Sequence, residues 1–174
     1  MKKFFVLVVL CALSTSVSAQ EVDSLKSGPI TIESLAAKLD KLQHDYDLLK
    51  CDYELNRMLL NLGILQNEIN NHSTDLEIDC YHYSGQYMYQ LYSSSRDKYN
   101  SSVNLLSSLK ESIVQLKAMV VSMIISSGFS ENEISLLNHQ CNTLDLSVRY
   151  AETSLESYKT NIDWFYEKLS LLKK

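Results

Sequence analysis

From Ile134 onward, apolar side chains fall at Ile134, Leu137, Cys141, Leu144, Val148, Ala151, Leu155, Tyr158, Ile162, Phe165, Leu169 and Leu172. The steps alternate three and four without a break. That is a coiled-coil seam sustained over more than five heptads, and it cannot be written as a strand. The rest of the chain must therefore supply helices for this seam to pack against. Proline occurs once and glycine four times in 174 residues, where average usage would give about 12 Gly and about 9 Pro. So few turn formers exclude most all-β folds and any glycine-rich phosphate loop.

Start signals divide the chain into three helices. Thr31 is placed to cap the first, with Ile30 and Leu35 as its hydrophobic staple. Thr74 and Glu77 form a capping box, with Asp75 and Asp79 adding negative charge near that helix start. Ser130 and Glu133 form another, stapled by Phe129 and Ile134, and Gly128 suits the C′ position of the helix before it. With stops at Asn70–Ser73 and Ser126–Gly128, the helices are predicted near 32–70, 75–127 and 131–172. Short connections force antiparallel neighbours. The expected fold is all-α, an elongated up-down-up three-helix bundle with coiled-coil-like packing.

The first helix carries two stripes: Ile32, Leu35, Leu39, Leu42, Tyr46, Leu49, Tyr53, and then Leu48, Leu55, Leu62, Ile69 with Leu59 between. The second is less regular. Leu76, Cys80, Tyr83 and Tyr87 make one stripe, and Leu106, Leu109, Ile113, Leu116, Val120 and Met123 another. Between them Ser93–Ser102 holds only Tyr99 as a large side chain. A kink there would give four helices. A continuous helix is preferred, because small residues level with Tyr46, Tyr158 and Trp164 would fill a narrow core.

Residues 1–19 read as a secretory signal. Lys2 and Lys3 precede a ten-residue apolar run, Phe4–Leu13, too short to span a bilayer, and Val17-Ser18-Ala19 suits cleavage before Gln20. Leu10 stands where a lipobox ahead of Cys11 wants a small residue. The expectation is an exported protein, periplasmic or extracellular, of a bacterial cell, with no transmembrane segment in the mature chain. Residues 20–30 would be an N-terminal arm and 31–174 one helical domain. Losing Lys2 and Lys3 takes the formal net charge from −5 to −7. With no basic block, nucleic acid is not an expected partner.

No nucleophile elbow, zinc helix or phosphate loop occurs. The histidines are scattered; His82 is near Asp79 and Cys80, but residues two apart on a helix do not face one way. No catalytic, cofactor or metal site is expected, and the protein reads as a non-enzyme. The bundle places Cys51, Cys80 and Cys141 at different levels, as small buried thiols. An intermolecular bridge would go most readily through Cys51.

Two surfaces stand out. Tyr81, Tyr83, Tyr87, Tyr89 and Tyr92 point to every side of one helix. Tyr83 and Tyr87 are expected in the core, and Tyr81, Tyr89 and Tyr92 as a recognition surface. Ala118–Ile125 is apolar all round, and in this register the first helix has barely begun beside it. Met119, Val121, Ile124, Ile125 and Phe129 are therefore expected to form an apolar tip. The arm, a second copy or a partner would cover it, and it could touch a membrane surface weakly. The leading function is an exported interaction or structural protein acting through helix packing, by self-association or by clamping a protein partner. The alternatives are a ligand-binding module built on Tyr81–Tyr92, and a periplasmic holdase chaperone.

Overall fold

A computed structural model describes residues 31–82 and 86–171. It contains three helices: α1 (Ile32–His82), α2 (Gln86–Ser126) and α3 (Glu131–Leu171), with no strand among the described residues. The expected all-α three-helix bundle is what forms. The chain divides into two units, Met1–Lys41 and Leu42–Lys174. In the first, the described residues are Thr31 and the opening turns of α1. There the Ser34 amide donates to Thr31 Oγ1 (3.2 Å), which makes Thr31 the predicted cap. The leader and the arm lie outside the described residues.

The second unit is the bundle. α3 buries its seam as the period demands: Leu137, Leu144, Ala151, Leu155, Tyr158, Ile162, Phe165 and Leu169 are core. The turn into α3 also matches the sequence. Gly128 takes φ +63°, the left-handed conformation a helix C′ residue needs. Glu133 Oε2 accepts from the Ser130 amide (2.7 Å), and the Glu133 amide donates to Ser130 Oγ (3.4 Å). The Ser130 hydroxyl, donating to Glu133 Oε2 at 2.7 Å, and then the Ser130 amide hold the Glu133 carboxyl below its usual range. α2 is continuous through 93–102, as the packing argument required. Its seam runs Met88, Tyr92, Ser95, Tyr99, Ser102, Leu106, Leu109, Ile113, Leu116, Val120 and Met123, again in steps of four and three. Ser95 and Ser102 keep the period, and Tyr158 fills the space they leave, its hydroxyl donating to the Ser95 carbonyl at 3.0 Å.

The first turn is not at 71–74. α1 runs on to His82, and Thr74 and Glu77 are in its interior. The buried stripe Cys51, Leu55, Met58, Leu62, Leu65, Ile69 continues through Leu76 and Cys80. Stopping at residue 70 would leave that extension without a core to join. Asn70–Ser73 are weak helix formers but no breakers, costing a few tenths of a kcal/mol each. Asn161 of α3 holds this stretch, donating to Ser73 Oγ (2.9 Å) and to Glu77 Oε1 (2.7 Å).

Moving the turn changes what α1 faces. His72, rather than Tyr46, is level with Tyr158, their ring centroids 6.4 Å apart. Tyr46 is exposed and Trp164 sits at the surface. At the other end, His44 packs edge-on against Phe129 (5.2 Å), Ser127 Oγ donates to Asp47 Oδ2 (2.8 Å), and Cys51 Sγ lies 3.2 Å from Met123 Sδ. All three helices therefore meet at the tip, where the sequence reading had left only two.

Candidate functional site

The sequence-predicted surface residues do not converge on one site. Tyr81 is 73% exposed; its ring is 6.3 Å from Trp164, and Lys168 Nζ sits over both rings, at 4.5 and 3.9 Å. Tyr89 is exposed. Tyr92 is half-buried between Phe165 and Tyr166, with Arg96 over its ring at 5.7 Å. Tyr87, expected in the core, is exposed, because Met88 takes the inward position of that turn. Tyr83 lies outside the described residues. The cationic caps and the 52° angle between the Tyr81 and Trp164 rings make these separate edge clusters, not a flat stacking platform.

The tip is likewise divided. Phe129 is only 7% exposed, so it is core rather than docking surface; His44 and the adjoining part of α1 cover it. Met119 and Ile124 are partly buried against the same core. Val121 and Ile125 stay in water, Ile125 80% exposed. The expected bare two-helix end is thus a three-helix end with two apolar side chains outside.

Among the described residues Cys51 and Cys80 are buried thiols, as expected, and Cys141 is partly buried. Cys51 has no exposed surface, which removes the intermolecular bridge assigned to it. Burial, first of all, and then the Asp47 carboxylate push its thiol up, and Cys141 is near enough to add to this. Gln140 Nε2 donates to Asp52 Oδ1 at 2.6 Å, so the neighbouring Cys141 and Cys51 stand at one level, contrary to the levels expected from a turn at 71–74. Burial also raises Cys80 and Cys141, and Cys80 Sγ donates to the Glu77 carbonyl at 3.0 Å. Protonated thiols in this setting are poor nucleophiles. Among the described residues no three His, Cys, Asp or Glu side chains are grouped as metal ligands.

The surface that the sequence reading missed is the outward face of α1. Leu42, Tyr46, Leu49, Tyr53 and Leu60 are all more than half exposed, Leu49 by 67%. At 100° per residue they sit opposite Cys51, Leu55, Met58 and Leu62. α1 is therefore apolar on two opposite faces, unlike α2 and α3, each of which concentrates its apolar residues on one. Both stripes are visible in the sequence. Reading the second stripe as taking over from the first, rather than as lying on the opposite face of the same helix, hid the outer face. Gly63 follows on this face, and a Cβ there would meet nothing within 4 Å. Compared with family models, curated proteins and solved structures, the chain matches none. No helix among the described residues is long and apolar enough to cross a membrane.

Proposed function

We propose that the chain is an exported, non-enzymatic interaction protein that works by helix packing, with the outward face of α1 as its docking surface. The observation that carries this reading is the exposed series Leu42, Tyr46, Leu49, Tyr53, Leu60 on a helix whose other face already fills the core. Each large apolar side chain left in water forgoes ~1.5–3 kcal/mol of burial, and apolar patches of this extent mark interaction sites. Val121 and Ile125 at the tip add a smaller contact of the same kind. The leader-like residues 1–19 support export.

A photoreactive side chain at Leu49, introduced in the producing cell, tests the reading. The expected result is a covalent protein adduct that the same group at exposed, polar Glu156 does not give. No adduct at Leu49 would sink the docking role. Recovery of the chain outside the cytoplasm, lacking residues 1–19, is the expected outcome for export.

A further inference from the structure

We infer that the occupant of this face is a second copy of the chain, with the two α1 helices paired parallel and in register as a short coiled coil. The inference rests on the docking role proposed for α1 and names the partner. The exposed residues keep the 3.5 period: Tyr46, Tyr53 and Leu60 occupy a positions, and Leu42, Leu49 and Asn56 occupy d. In a parallel pair each g side chain faces the e side chain five residues on in the other helix. Asp45 then meets Lys50 of the second copy, Asp52 meets its Arg57, and apolar Leu59 meets its Ile64. All three contacts are complementary, and the two-fold axis repeats each. Asp52 accepts from Gln140 through Oδ1 alone, which leaves Oδ2 for the arginine.

Antiparallel registers centred on the same segment oppose like charges instead. One sets Asp45 against Asp52, the next Asp52 and Lys50 each against its own copy, and the third Lys50 against Arg57. The flanking charges thus select a partner carrying this same sequence in this same direction. Asn56, at a d position, is the polar layer of the seam between Leu42 and Leu60. The buried face of α1 already orders the helix, so association does not have to fold it.

The test is the mass of the purified mature chain in solution. The expected result is a dimer at about 100 µM that dissociates on dilution. Leu49→Lys should weaken association by more than about tenfold while leaving helical content and the thermal midpoint of the monomer unchanged. Asp45→Lys should weaken it, and Asp45→Lys with Lys50→Asp should restore it. Mixed Leu42→Cys and Leu60→Cys chains should cross-link 42 to 42 and 60 to 60. A monomer throughout, or a dimer indifferent to Leu49→Lys, would overturn the inference. Cross-links from 42 to 60 would overturn the parallel pairing. A monomeric pure protein whose Leu49 photoadduct contains a different protein would overturn the second copy and leave the docking role standing.

Discussion

Tyr158 shows how one residue can set the width of this core. It has no exposed surface, and small Ser95 and Ser102 sit across from it on α2. Its hydroxyl donates to the Ser95 carbonyl, and burial raises its pKa. Tyr158→Phe removes one hydrogen bond and should cost about 0.5–1.5 kcal/mol. Tyr158→Ala leaves a cavity and should cost about 3–5 kcal/mol in denaturant unfolding. Its neighbour His72 holds Nδ1 buried without a hydrogen-bond partner. Burial, and secondarily Lys98, lower its pKa. The folded protein therefore keeps His72 neutral to a lower pH than the unfolded chain does. As pH falls below the unfolded value of about 6.5, the unfolded chain binds the proton first and stability declines. His72→Leu removes an orphaned group whose desolvation costs about 1–3 kcal/mol. Its gain in stability should be larger at pH 5 than at pH 8; an equal gain at both would refute this role.

At the scale of the element, two glycines with equally open surroundings should respond in opposite senses. A Cβ on either Gly63 or Gly128 meets nothing within 4 Å, but only Gly128 has a positive φ, +63°. Gly63→Ala should stabilise α1 by about 0.5–1 kcal/mol, and Gly128→Ala should destabilise by about 1–2 kcal/mol. Thermal unfolding of the two variants reads both signs. Legibility in the sequence follows the same local logic. Thr74–Glu77 and Ser130–Glu133 have the same form, yet only the second caps a helix. Ser130 follows a C′ glycine and carries its staple, whereas Thr74 is an exposed residue in a stretch where Ile69 and Leu76 continue one buried stripe. A cap contributes about 1 kcal/mol, and burying several apolar side chains outweighs it. The α2 seam escaped for a different reason. Ser95 and Ser102 keep its period but are invisible to a search for apolar residues.

At the scale of the bundle, the position of the first turn sets which residues of α1 and α3 meet, and the sequence reading misplaced it. The cysteine levels, the covered tip, the exposed Tyr46 and the unclaimed outer face of α1 all follow from moving that turn from 71–74 to beyond His82. A single distance tests the register. Ser73 and Asn161 are joined by a hydrogen bond of 2.9 Å. With a turn at 71–74, Ser73 would sit at the base of the bundle. Asn161 would then be some 20 residues higher along α3, about 30 Å away at the helical rise. Ser73→Cys with Asn161→Cys should therefore form an intramolecular disulfide under mild oxidation, since bridging requires Cα atoms within about 7 Å. Cys51 and Cys80 are buried, Cys141 is partly so, and burial raises the pKa of all three, so they should compete poorly for the oxidant. A protease should cut near 127–130 and spare 71–74, because α1 has no break there. Failure to cross-link, together with cutting at 71–74, would return the chain to the earlier register. The outer face of α1 would then become an inner one.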